Sequence, residues 1–307
     1  MKTLPLHTRR YLSIQLSDLK SDEIVIAAES YPEERSQLSA WDAIRQAAPE
    51  RVVTVSNITP DDIVTRVGST SLAISLTDEE GLAGIFSSQA VLVDISSLPH
   101  HVWAPLFRAC ITYGKQVRAL YVEPEGYKSH PSPASANLFD LSVSFDGLAP
   151  LPGFAKLTGP AENESSLLIA FLGFEGNRAE RIINQLEPVP KVVPVIGAPG
   201  FQINYPAITV ACNRSFLSDF DCNSEIRFAR ASCPFEAYEI LASVRRNYPD
   251  HYLYIAPVGT RPHALGAVWY ALHHSDHCEI LFDHPVRQSN RTSGRGLTHI
   301  YDFYAVT

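Results

Sequence analysis

The sequence predicts an α/β fold with mainly parallel sheets, divided into two units. Three observations predict it. Short β-rich apolar runs alternate with longer helix-patterned segments along the whole chain, the signature of parallel strands joined by crossover helices. Several of these runs are apolar enough to be buried strands. The order of elements in the first part of the chain also returns in the second, after a stretch rich in Pro, Ser and Gly at 125–164.

Taken in order, residues 23–28 (EIVIAA) read as a buried strand, and 29–36 (ESYPEERS) as a polar turn into a helix that runs to about Ala48. Residues 51–56 (RVVTVS) are the next strand. After a variable middle come a strand at 90–95 (AVLVDI), a helix at 100–113 and a strand at 116–122 (QVRALYV). In the second part, 166–172 (SLLIAFL) is a strand, 173–178 (GFEGNR) a turn, and a helix follows to about Leu186. The strand 191–196 (KVVPVI) comes next, then 252–256 (YLYIA), the loop 257–261 (PVGTR), a helix at 262–274 and a strand at 278–282 (CEILF). A final strand is expected at 298–304.

The parallel between the two parts extends to details. Leu98-Pro99-His100 opens one helix and Arg261-Pro262-His263 the other; LYVEP and LFDHP close the two strands that follow. Proline is favoured in the first helical turn, where its missing N–H would be unpaired anyway. Internal duplication and convergence both account for the match. The expected organisation is an N-terminal Rossmann-like unit at 1–124, a linker at 125–164 and a C-terminal Rossmann-like unit at 165–307.

Composition removes several classes. With 307 residues, 45% of them hydrophobic and 19% charged, the chain has the material for a real core, so disordered, collagen-like and coiled-coil readings fail. No run approaches the ~18 apolar residues of a membrane helix, and the opening MKTLPLHTRRYLSIQLSDLK carries charges where a secretory signal needs its apolar stretch. The expectation is a soluble, cytoplasmic protein with no membrane partner. Lys and Arg total 25 against 33 Asp and Glu, so the net charge is 25 − 33 = −8. Broad binding to a nucleic-acid duplex, which needs a wide basic face, is not expected; a small anionic ligand held by a few arginines is. The 5 cysteines are scattered without a C-x-x-C pair, which points to reduced, mostly buried thiols.

Ligands of open parallel sheets bind at the carboxyl ends of the strands, where loops lead into helix N-termini that favour anions. The leading candidate is the loop 257–262 (PVGTRP): Gly259 permits close backbone approach, Thr260 caps the helix, Arg261 offers a planar donor pair to phosphate, and His263 lies in the first helical turn. Residues 284–296 (HPVRQSNRTSGRG) add Arg287, Arg291 and Arg295 with no acidic residue between them. Gly173, Glu175 and Asn177 form a shortened glycine-containing turn on the expected rim. Glu29 occupies the matching place in the first unit, while Asp94 and Ser96 end another strand. An aspartate there serves equally to bind a ribose hydroxyl, to act as a base or to cap the next helix. G-x-S-x-G, H-E-x-x-H and G-x-x-x-x-G-K-[ST] are all absent, and His273, His274, His277 and Cys278 read as a helix end rather than a metal site. No cofactor or metal is implied.

Residues 252–272 (YLYIAPVGTRPHALGAVWYAL) resemble a motif of the CRISPR-associated Rossmann-fold (CARF) sensor family, in which an apolar strand, a Gly-Thr-Lys turn and an apolar helix bind cyclic oligoadenylates. Gly259 and Thr260 match, Arg261 stands where Lys is usual, and Val258 replaces a frequent glycine. The resemblance implies a nucleotide sensor in prokaryotic antiviral defence. Since such sensors usually carry an effector after this unit and only about 25 residues follow the strand at 278–282 here, it implies a stand-alone sensor or accessory subunit with a separate effector. Three readings stand: a module binding a phosphate-bearing nucleotide or oligonucleotide, with a homodimer compatible; a nucleotide hydrolase or N-glycosidase using Glu29 or Glu175 as base; and a docking subunit for a partner such as an ATPase or nuclease.

Overall fold

The computed structural model describes residues 7–30, 33–134, 137–156, 159–161 and 164–303. The fold is mixed α/β, and the chain divides into two compact units: residues 1–126 with 292–307, and residues 127–291. Among the described residues no helix is long and apolar enough to cross a membrane.

The first unit is organised by an eight-stranded sheet. Its centre is parallel, in the order Gln116–Val122, Ala90–Asp94, Ile24–Ala28, Val52–Ser56. Every residue of Ile24–Ala28 and Ala90–Asp94 is buried, as continuous apolar runs in a doubly covered sheet should be. Antiparallel strands extend both sides. Asp62–Val67 and Thr70–Ser75 form a hairpin whose two-residue turn uses Gly68 at φ +56, a conformation that glycine adopts without strain. On the other side, Thr298–Phe303 pairs with Gln116–Val122, and His7–Tyr11 pairs with Thr298–Phe303. The core packs Trp41 and Ile44 of the Ser39–Ala47 helix on Val25, Ala27, Leu92, Leu120 and Ile300. Phe107 of the His100–Thr112 helix meets Phe303 edge-on at 4.9 Å. A buried ionic group completes it: Arg118 Nε donates to Glu23 Oε1 at 2.7 Å and lies 3.9 Å from Asp302.

The second unit carries a five-stranded sheet, parallel throughout: Arg227–Ala229, Lys191–Gly197, Ser166–Phe171, Tyr252–Ala256, Cys278–Ile280. In chain position this is 3-2-1-4-5, the order of a doubly wound sheet. Leu167 through Phe171 are wholly buried. Leu168 and Ala170 pack with Ile182, Ile183, Phe216 and Leu217 in one core. The longest helices are Pro234–Asn247 and Arg261–His273. The latter is buried along nearly its whole length, including Gly266, where a Cβ would collide with the Pro234 carbonyl of its neighbour.

Two boundaries differ from the sequence reading. The strand expected to finish the C-terminal unit belongs to the first unit's sheet, because its register places Asp302 opposite Arg118 and Ile300 opposite Leu120. Tyr304, its expected last residue, lies outside the described residues, as do Tyr31 and Pro32 of the first polar turn. Much of 125–164 is also more than a linker: Ser129–Ala134 pairs with Asn137–Phe139, and Ser142–Phe145 with Pro285–Arg287, all within the second unit.

Candidate functional site

The strand order of the second unit breaks direction between Ser166–Phe171 and Tyr252–Ala256, which are adjacent in the sheet. At such a break the two following loops leave towards opposite faces, and a crevice opens at the carboxyl edge. Two glycine turns meet there. A Cβ on Gly259 would stand 2.7 Å from the Leu172 carbonyl oxygen, and one on Gly173 would stand 2.9 Å from that of Val258. Both distances forbid a side chain, so each glycine is required by the other loop's backbone. The sequence reading has Gly259 approach a ligand; the close approach that the structure shows there is to main chain.

Thr260 is the N-cap of the Arg261–His273 helix: its Oγ1 accepts from the His263 N–H at 3.3 Å and donates to the Ala231 carbonyl at 2.8 Å. The hydroxyl therefore ties the fourth strand's loop to the third's as well as capping. Arg261, the first helical residue, is only 5% exposed. Pro262 has no N–H and that of His263 is taken by Thr260, so this helix start presents fewer donors than an uncapped one. His263 is fully buried, its Nε2 3.1 Å from the Arg230 carbonyl and its ring 5.2 Å from Phe171. Burial lowers its pKa to about 4 against the pull of the Arg230 and Ala229 carbonyls, so the imidazole is neutral near neutral pH. With Nε2–H donating to a carbonyl, Nδ1 is the bare lone pair, and it has no hydrogen-bond partner.

Arg178, which the sequence reading treated as part of a turn, is a buried anchor. Its Nε donates to Asp283 Oδ2 at 2.8 Å, its Nη2 to Asp283 Oδ1, and its Nη1 to the Val258 carbonyl at 3.1 Å. Burial would lower the guanidinium's pKa, but Asp283 and Glu175 more than offset it and hold the charge. Glu175 faces this arginine at 3.6 Å. Asn177 is the first residue of the short Asn177–Ile183 helix. Asn213 was also missed: its Nδ2 donates to the Gly173 carbonyl at 2.7 Å, while its buried Oδ1 has no partner. Gly173, Glu175, Gly259, Thr260, Arg261 and His263 thus converge on one sheet edge.

The arginine-bearing segment does not act as one block. Arg287 and Arg291 belong to the second unit, whereas Arg295 belongs to the first, where it donates to the Gln37 carbonyl and, at 3.4 Å, to that of Glu34. Arg287 pairs in register with Ser142, and the Arg291 carbonyl accepts from the Lys128 N–H at 2.9 Å.

The first unit's candidates lie at the carboxyl ends of its strands but do structural work. Asp94 is fully buried; its carboxylate accepts from Trp41 Nε1 at 3.2 Å, Ser96 N at 2.9 Å and Ser97 N at 3.2 Å. Burial raises its pKa, opposed by those donors. Ser96 Oγ accepts from Val122 N at 2.7 Å, joining two strand ends. Glu29 pairs with Arg66 at 2.6 Å on the surface. In the same unit, His299 Nε2 lies 2.6 Å from Glu123 Oε1 and Arg35 Nε 2.6 Å from Glu33 Oε2. Among the described residues no group of three or more His, Cys, Asp or Glu is placed to hold a metal. Burial pushes the Cys278 thiol up to about 12, and His273 Nδ1 lies against the Trp269 carbonyl at 2.8 Å.

Comparison with protein-family models and with curated proteins finds no match for this chain.

Proposed function

We propose that the second unit binds a phosphate-bearing nucleotide or cyclic oligonucleotide at the carboxyl edge of its sheet, as a sensor or accessory subunit of a prokaryotic antiviral defence system. One observation carries this reading: the Gly173 and Gly259 turns meet at the break in a 3-2-1-4-5 parallel sheet. The likeness of residues 252–272 to the CARF motif supplies the ligand class and the defence setting. In both units the first parallel strand lies between the second and a later one, which supports reading them as Rossmann-like units related by internal duplication.

The hydrolase and N-glycosidase alternatives need Glu29 or Glu175 as a base. Each already faces an arginine, at 2.6 and 3.6 Å, so binding is the preferred activity. Calorimetric titration of adenosine triphosphate and cyclic oligoadenylates into wild type, Arg261→Lys and Arg261→Ala tests it. Binding by wild type that weakens about tenfold or more in Arg261→Ala, with partial retention in Arg261→Lys, is expected. Equal affinities in all three, or no binding by wild type, would overturn it.

A further inference from the structure

The eight-stranded sheet of the first unit ends in two edges of opposite character. One edge strand, His7–Tyr11 (HTRRY), carries Arg9 and Arg10, so a second copy laid against it would bring arginines together. The other, Thr70–Ser75 (TSLAIS), carries no charge and no proline, and its pairing with Asp62–Val67 runs through six residue pairs without a bulge. Charge, proline, bulges and covering segments are the devices that keep strand edges from pairing with other chains. Thr70 through Ala73 are exposed, and no described strand lies beyond them in the sheet.

The ladder fixes which backbone groups are left over. The Leu76 N–H bonds the Asp61 carbonyl at 2.7 Å, in the register that sets Ser75 opposite Asp62. Hydrogen-bonded and non-hydrogen-bonded pairs alternate along an antiparallel ladder. Thr70, Leu72 and Ile74 therefore bond to the neighbouring strand, while the N–H and C=O groups of Ser71 and Ala73 point out from the edge. Side chains alternate as well. Ile74 and its partner Ile63 are buried on the core side, and Leu72, on that same side, is 56% exposed. The core-side apolar row thus runs out into solvent at the edge, between two residues whose ladder groups face no strand.

What completes a strand edge is another strand, and this one fits its own copy. We infer that the Thr70–Ser75 edge is a homodimer interface, in which two copies pair antiparallel about a twofold axis at Leu72 and join their sheets. Twofold antiparallel pairing repeats each contact in both copies. Leu72 then faces Leu72 of the second copy, in a non-hydrogen-bonded pair whose side chains approach closely, and Ser71 exchanges both backbone bonds with Ala73. No like charges stand opposite each other, since the strand has none. A foreign peptide would be selected by side-chain pockets or charges along the edge, and TSLAIS supplies no charge, whereas a second copy needs only the twofold. The inference concerns the first unit and stands apart from the nucleotide reading.

The test is sedimentation equilibrium of the full chain between about 1 and about 100 μM, with wild type, Leu72→Lys, Leu72→Glu and an equimolar mixture of the two variants. Wild type should dimerise in this range. Each single variant opposes like charges and should need a concentration about tenfold or more higher to dimerise, while the mixture sets Lys against Glu and should recover the dimer. Both substitutions fall on a side chain already half in solvent, so far-UV circular dichroism should match wild type. Ala73→Pro is the independent variant: it removes an N–H that the strand's own sheet does not use, and it too should leave a monomer. A wild type that stays monomeric throughout, single variants or Ala73→Pro that dimerise like wild type, or a mixture no tighter than its components would overturn the interface.

Discussion

Acidification from about pH 8 to about pH 5 should cost the second unit about 2 kcal/mol through one side chain, His263. In the folded protein burial lowers its pKa to about 4, whereas the unfolded chain has the ordinary value of 6.5. Between these values the unfolded state takes up a proton that the folded state refuses. Stability is therefore full above the unfolded value, falls as the pH drops through the window, and levels off below the folded value. At about pH 5 the unfolded imidazole is roughly 97% protonated and the folded one roughly 10%, which yields the figure above. The assay is urea unfolding followed by circular dichroism at both pH values, in wild type and His263→Gln. The glutamine amide retains a donor for the Arg230 carbonyl but does not titrate. Wild type should lose about 2 kcal/mol more than the variant, a midpoint difference of about 1 M urea. His274, whose pKa burial also lowers, contributes equally to both and cancels. Superimposable pH profiles would refute the claim that His263 is an enclosed neutral tie between the third and fourth loops.

Other substitutions probe the same edge. Arg178→Met leaves Asp283 buried without its partner and should destabilise the second unit by about 3–5 kcal/mol in urea, with most of the loss recovered in Arg178→Met/Asp283→Leu. Gly176→Ala sets a Cβ on the Cys212 carbonyl oxygen and should cost about 2–3 kcal/mol in the same assay, since backbone rather than a side-chain tip must yield.

Much of the architecture is legible because buried parallel strands write themselves as continuous apolar runs: EIVIAA, AVLVDI and SLLIAFL each match an observed strand to within one residue. The hairpin at 62–75 is not, because Thr70–Ser75 lies mostly in solvent and its sequence, TSLAIS, carries little apolar signal. The Thr298–Phe303 strand is recognisable as a strand, but its address is not. Pairing with Gln116–Val122 is a long-range register set by Asp302 against Arg118, which no local pattern encodes.

The candidate site divides along the same line. The Gly259 turn and the Thr260 cap are local and follow from P-V-G-T-R-P. That Thr260 also holds the Ala231 carbonyl depends on a partner far away in sequence, as does the role of Asp94, whose indole donor Trp41 lies on the Ser39–Ala47 helix.

Hydrogen–deuterium exchange of the full chain, with and without saturating adenosine triphosphate or a cyclic oligoadenylate, addresses the location of the ligand most directly. Amide protection concentrated in residues 172–178 and 257–263 is the predicted result. Protection confined to other segments, such as 94–97 of the first unit, or no change with either nucleotide, would contradict a ligand seated at the carboxyl edge of the second unit's sheet.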